Sequence, residues 1–369
     1  MRVAFERRAL FGILGALGVV SCQLLGSPKA VNFIAASSPN VAVMGRVQRV
    51  NSALRIGYPG VTLRVRFEGS TLTARVASTS KNSRLELQVD GKAPRVLRLA
   101  GGASELKLAE NLPKGVHSLE LVHRTETWQG IVTVSGFRLD PDARLLTPEP
   151  WPTRRLLVIG DSVSCGEAVE RSDDCQKTPD WWNPSRSYGM WLARSLDAQC
   201  HLVCYGGRGL IRDWQGRRDV LNAPQFFDLA LPDPTSPALW NHADYVPDVV
   251  LVSLGTNDFN LALGELPEKE EYVAAYVAFI TRIRDRYPMA RVLLTEGAMV
   301  SDEADPKRPQ KSVLRGYLAE TARRLGDAKV EVIASRHYAG DRCDAHPTGE
   351  QHAAMAAELR QEVRRVMGW

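Results

Sequence analysis

Three short segments between residues 160 and 258 of a 369-residue chain carry residue types suited to acyl transfer. Gly160-Asp161-Ser162-Val163 offers a hydroxyl, Gly206-Gly207-Arg208-Gly209 a turn rich in backbone N–H groups, and Gly255-Thr256-Asn257-Asp258 a side-chain amide. A fourth, Asp344-Ala345-His346-Pro347, adds an imidazole with a carboxylate two residues upstream. A serine hydroxyl is a poor nucleophile at its own pKa and needs a base. His346 is the best placed of the seven histidines. His242 and His352 also have a carboxylate two places away, Asp244 and Glu350. His242, however, precedes the third motif's strand and so falls at the wrong end of a sheet. His352 falls inside the last helix, where residues two apart do not face each other. Asp344 is therefore expected to hold the His346 ring in its tautomer. Hydrolysis of an ester passes through a tetrahedral oxyanion, whose expected donors are the backbone N–H groups of Ser162 and Gly207 and the amide of Asn257. Losing one such donor costs about 10² to 10³ in rate. Each segment alone is a weak signal: a glycine-rich turn is usually only a turn, and Asn257 could simply cap a helix. Their order and their common placement after apolar runs argue for a single site.

Those runs are 156–159, 202–204 and 249–254, followed by 292–294 and 330–333, with helical patterns between most of them. Tyr272, Tyr276, Phe279, Ile280 and Ile283 share one helical face, as do Leu314, Tyr317, Leu318 and Leu325. The final helix opens on a capping box, Thr348 with Gln351, and is expected to bury Met355, Leu359 and Val363. Strands alternating with helices predict a parallel sheet between helical layers, an α/β fold. Ligands in such sheets bind beyond the carboxyl ends of the strands, where all three motifs fall. The preceding region has a period of two. Val61, Leu63, Val65 and Phe67 alternate with polar residues, and further short strands fit 72–76, 85–89, 96–99, 106–108, 116–122 and 131–139. An antiparallel sandwich follows from that pattern. The expected organisation is a leader over 1–22, a linker over 23–40, the sandwich over 41–145 and the α/β domain over 150–369. Prolines 141, 148, 150 and 152 mark the junction between the two folds.

The leader combines Arg2, Arg7 and Arg8 with an apolar run over 9–20, long enough for a signal sequence but short for a membrane span. Val19-Val20-Ser21-Cys22 resembles a lipobox, with Cys22 the lipidated residue after cleavage. An ordinary secretory signal cut after Ala30, or a twin-arginine signal, is the alternative. The expected address is outside the cytoplasm, as a bacterial envelope lipoprotein (periplasmic or outer surface) or a secreted protein. Export permits disulfides. Cys165 and Cys175 are the expected pair. Cys200 and Cys204 would lie roughly 13 Å apart along a strand and are expected to be buried apolar residues. The net charge of +5 is scattered among acidic residues, which excludes a nucleic-acid stripe. No CxxC pair or histidine cluster suggests a metal, and the chemistry needs no cofactor. Trp181, Trp182 and Trp214 fall in loops near the motifs. Trp182 and Trp214 are expected to stack on sugar and Arg208 to contact a substrate hydroxyl.

The motifs resemble those of the SGNH (GDSL-type) hydrolase superfamily, and most of all carbohydrate esterase family 2. The likeness runs through Gly160-Asp161-Ser162-Val163-Ser164-Cys165-Gly166, Gly207-Arg208-Gly209-Leu210, Gly255-Thr256-Asn257-Asp258-Phe259 and Cys343-Asp344-Ala345-His346-Pro347. In the first half it includes Pro59-Gly60, Val89-Asp90-Gly91 and His123-Arg124-Thr125-Glu126. The resemblance implies a jelly roll joined to an α/β/α SGNH domain and an acetyl esterase acting on sugar hydroxyls through Ser162 and His346. It implies Gly207 and Asn257 as oxyanion donors and Asp344 as the acidic partner. The expected partner is an acetylated carbohydrate, met by a monomer whose contact with membrane is confined to the N-terminal anchor. Two rivals stand beside it: a carbohydrate-binding surface lipoprotein with a vestigial site, and an esterase for peptidoglycan O-acetyl or lipid esters. The chain departs from the family at Ala345, where an aromatic residue is usual, and at Glu296-Gly297-Ala298-Met299, which lacks an expected proline.

Overall fold

The structure is a computed structural model that describes residues 32–369. The leader and the lipidation residue Cys22 lie outside the described residues. Residues 32–150 form two six-stranded antiparallel sheets. One holds Ala53–Ile56, Leu72–Ser78, Gly102–Ala109 and Val132–Leu139 among its strands. The other holds Thr62–Gly69, Arg84–Val89, Arg95–Arg98 and Gly115–His123. The period-two residues face inward: Leu63, Val65, Phe67, Leu72, Ala74 and Val76 are buried. Two short strands correct the expected boundaries. Asn32–Ala35 pairs with Val132–Leu139, so the second half of the 23–40 stretch belongs to the sandwich rather than to a linker. Arg144–Leu146 pairs with Thr62–Gly69 inside the proline-rich junction. Each has four residues or fewer and one strand partner, too little alternation to register in a sequence.

The chain beyond residue 150 is built on a five-stranded parallel sheet: β1 (Arg154–Gly160), β2 (Ala198–Cys204), β3 (Val249–Ser253), β4 (Arg291–Thr295) and β5 (Val330–Val332). Its spatial order is β2-β1-β3-β4-β5. Alternate residues feed two different cores. Leu157, Ile159, Val250, Val252 and Leu294 pack with α3 (Lys269–Arg286) and α4 (Gln310–Leu325). Leu156, Val158, Leu251 and Leu293 pack with α2 (Tyr188–Ser195) and α5 (Gly349–Met367). A sheet buried on both faces accounts for its continuous apolar strands. The capping box at Thr348 and Gln351 is formed, and Met355, Leu359 and Val363 are buried as expected. The connection order reverses between β1 and β3, the switch point at which such sheets open a crevice.

Sandwich and α/β domain belong to one compact unit with a continuous apolar interior. Tyr58 donates its hydroxyl to the Phe226 carbonyl at 2.7 Å. The fully buried Arg46 guanidinium donates to the Phe227 and Leu229 carbonyls and lies 5.2 Å from the Trp240 ring. Arg124 is buried too. It pairs with Glu86 of its own sheet and with Glu170 across the seam, and donates to the Trp182 carbonyl at 2.7 Å. Among the described residues no helix is long and apolar enough to cross a membrane.

Candidate active site

Ser162 opens α1 (Ser162–Cys165), directly after β1. Asp161 caps this single turn, accepting from Val163 N–H at 3.1 Å, so the hydroxyl is fixed at the sheet's carboxyl edge. His346 comes from the loop before α5, 184 residues away, and its Nε2 lies 2.9 Å from Ser162 Oγ. Asp344 Oδ1 lies 2.6 Å from His346 Nδ1 and accepts the backbone N–H of the same residue at 2.9 Å. The other Asp344 oxygen takes a 2.7 Å hydrogen bond from Lys177, which also pairs with Glu167 at 2.6 Å. Glu167 Oε2 lies 3.7 Å from His346 Nε2. Burial would raise the Asp344 carboxyl, but hydrogen bonds from His346 and Lys177 outweigh it and hold it well below the usual carboxylate range. Burial would lower His346, yet the Asp344 hydrogen bond and the Glu167 charge leave it raised above 6.5. A hydroxyl, an imidazole and an ionised carboxylate in this sequence can pass a proton and generate an alkoxide.

The loop after β2 meets them from the other side. Gly207 has φ of +74°, and a Cβ there would lie 2.7 Å from the Trp214 ring, so only glycine suits the position. Asn257 donates one amide hydrogen to the Arg208 carbonyl at 2.8 Å, which fixes the group and leaves its second hydrogen for a ligand. The buried Asp258 carboxylate accepts from the Leu210, Ile211 and Arg212 N–H groups at 2.8, 2.8 and 3.1 Å and so ties the β2 loop to the β3 loop. Ser162, Gly207, Asn257 and His346 line one cleft of about 680 Å³. Trp128 and Trp214 also line it, each 54% exposed, so two aromatic rings border the same cleft.

Other expectations need correction. Cys165 does not pair with Cys175. It bridges to Cys204, and Cys175 bridges to Cys343. Parallel pairing sets Gly160 beside Cys204, and α1 turns back over that strand end, bringing the two Cα atoms to 5.6 Å. Cys200 is buried and free, as expected; Cys204 is not free. Trp182 is buried and does not line the cleft. It stands edge-on behind Trp128, ring centroids 5.7 Å apart. Trp128, from the sandwich, takes the cleft-lining place expected of Trp182. Arg208 lines the cleft and pairs with Asp213 at 3.2 Å. His242 and His352 are engaged elsewhere, with Tyr287 and Asp228 and with the Tyr188 N–H. The sequence reading missed Trp128, Glu167 and Lys177. The run Glu126-Thr127-Trp128 carried a usable signal, an aromatic residue beside a landmark motif in a region otherwise read as sandwich.

Comparison with known proteins agrees with this geometry. Residues 43–150 match the family described as Carbohydrate esterase 2 N-terminal, and residues 158–354 match the GDSL-like Lipase/Acylhydrolase family. An acetylxylan esterase/glucomannan deacetylase of Cellvibrio japonicus is 40% identical over 91% of this chain and 91% of its own. A solved family two carbohydrate esterase from the same organism superposes with a TM-score of 0.87 at 39% identity, covering 92% of this chain and 99% of that one. A second, from Clostridium thermocellum and solved with cellohexaose, gives 0.78 at 28% identity over 89% and 99%. The chain thus belongs to carbohydrate esterase family 2, as an esterase built on the SGNH hydrolase fold.

Proposed function

We propose that Ser162 is the nucleophile, His346 its base and Asp344 the residue that holds the base, in an enzyme that deacetylates plant-type polysaccharide at the envelope. Ser162 Oγ attacks the acetyl carbonyl carbon as its proton passes to His346 Nε2. The oxyanion is held by the N–H groups of Ser162 and Gly207 and by the free amide hydrogen of Asn257. On collapse, His346 returns the proton to the departing sugar oxygen. A water, deprotonated by the same nitrogen, then attacks the acetyl carbon, and as acetate leaves, His346 returns that proton to Ser162 Oγ. The unbroken chain Ser162 Oγ–His346–Asp344, inside a cleft bordered by two exposed tryptophans, carries this reading.

A xylan or glucomannan chain suits the site because Trp128 and Trp214 can face the apolar side of a sugar ring, the role Ala345 cannot fill. The named activity of the 40%-identical relative supports that substrate class. Acetate release from acetylated xylan, glucomannan and peptidoglycan, with Ser162→Ala as control, tests it. Release from the first two that is lost in the variant is expected, and exclusive release from peptidoglycan would overturn the polysaccharide assignment. Two disulfides support an oxidising compartment and therefore export. Anchoring through Cys22 predicts that Cys22→Ser moves the protein from the membrane fraction to the soluble one.

A further inference from the structure

Glu126 belongs to the sandwich, yet its carboxylate ends beside the β2 loop of the esterase domain. It is only 1% exposed. Oε1 accepts the Trp182 indole N–H at 2.9 Å, and Oε2 accepts the Gly206 N–H at 2.5 Å. Its own backbone N–H donates to Gln129 at 2.9 Å within a capping box, so the side chain is held from its root as well as its tip. Contact with the loop is close. A Cβ at Gly206 would lie 2.7 Å from one carboxylate oxygen and 3.0 Å from the other. Asp258 ties down the far half of the same loop, residues 210–212. The near half, which leads into Gly207, is met by Glu126.

We infer that Glu126 is a positioning residue for the oxyanion hole: by taking the Gly206 N–H it sets the orientation in which the next N–H, that of Gly207, meets the acyl oxygen. The inference rests on the reading of Gly207 as an oxyanion donor. The Trp182 and Gly206 N–H groups reach different oxygens of Glu126, and a carboxylate presents an acceptor to each where a carboxamide puts an NH2 donor in place of one. The arrangement is costly. Burial and the charge of Glu167 both push Glu126 toward its protonated form, and among the described residues no cation pairs with it. A leucine would fill the space without that cost. What a leucine lacks is any hold on the Gly206 N–H.

The test compares Glu126→Gln, Glu126→Ala and Ser162→Ala on 4-nitrophenyl acetate, with inhibition by a boronic acid. The tetrahedral adduct of a boronate with serine puts a negative oxygen in the oxyanion hole. A displacement of about 1 Å in a catalytic group can cost about 10²-fold. Glu126→Ala is therefore expected to lower kcat by about 10²-fold and the near-isosteric Glu126→Gln, which keeps one acceptor, by about 10-fold. KM should stay within about twofold, and the boronate Ki should rise by the same factor that kcat falls. A purely structural role would not tie the Ki to kcat in this way. Wild-type kcat in Glu126→Gln and Glu126→Ala, or a fall in kcat with unchanged boronate affinity, overturns the inference while an inactive Ser162→Ala leaves the site reading intact. Full activity in Ser162→Ala would overturn the site reading itself. If Glu126→Ala does not fold, Glu126→Gln decides.

Discussion

His346 must be neutral to accept a proton, yet Asp344 and Glu167 both favour its charged form. With its pKa raised, the neutral fraction appears only at higher pH. Activity is therefore expected to climb with pH through a midpoint above the ordinary value of about 6.5. Asp344→Asn removes the hydrogen bond that raises the histidine, so the midpoint should move to lower pH even as kcat falls, by as much as about 10⁴-fold. A pH–rate profile in which that midpoint stays fixed would contradict the arrangement. Glu167→Gln should move it in the same direction with a smaller loss of rate. The tryptophans predict a different signature. Trp214→Ala should raise KM for acetylated polysaccharide severalfold while leaving 4-nitrophenyl acetate nearly unaffected, since a small ester makes no use of a stacking ring. The reacting residues were readable from sequence because each lies in a short motif with a characteristic neighbour: Asp161 before Ser162, Asp344 before His346. Glu167 and Lys177 were not, and Glu126 was legible only as part of a landmark motif, because their relation to the site exists only once remote segments are brought together.

The strands declared themselves through period two in the sandwich and through unbroken apolar runs in the buried sheet, and α3 and α5 through their buried faces. The short pieces did not. The strands Asn32–Ala35 and Arg144–Leu146 have too few residues to show alternation, and cysteine partners cannot be chosen from spacing when both depend on how loops fold back. The observed bridges have a clear logic. Cys165–Cys204 ties the turn that bears Ser162 to the strand that delivers Gly207. Cys175–Cys343 ties the segment that bears Lys177 to the loop that bears Asp344 and His346. Removing either bridge by a Cys→Ser pair is expected to cost about 2–4 kcal/mol, read from urea denaturation. Loss of Cys165–Cys204 should in addition lower kcat, because nucleophile and oxyanion donor would no longer be held to one another.

Sandwich and α/β domain meet through charged groups that neither could bury alone. Arg124 pairs with Glu86 and Glu170 at the seam, and Arg124→Ala leaves Glu86 enclosed without its cation. Breaking such a pair typically costs about 3–5 kcal/mol, and denaturation of this variant followed by both fluorescence and circular dichroism is expected to show it. The two probes should trace one coincident transition in the parent, as befits a common interior. Tyr58 and Arg46 reach across to backbone carbonyls around Phe226 to Leu229, so a polypeptide cut at residue 150 would expose those carbonyls together with the aromatic rings beneath them. The N-terminal half is therefore not an accessory that could be detached or grafted onto another catalyst. A truncation at the junction is expected to yield neither a smaller esterase nor a free-standing sugar-binding fragment, which circular dichroism and esterase assays of the two pieces would check.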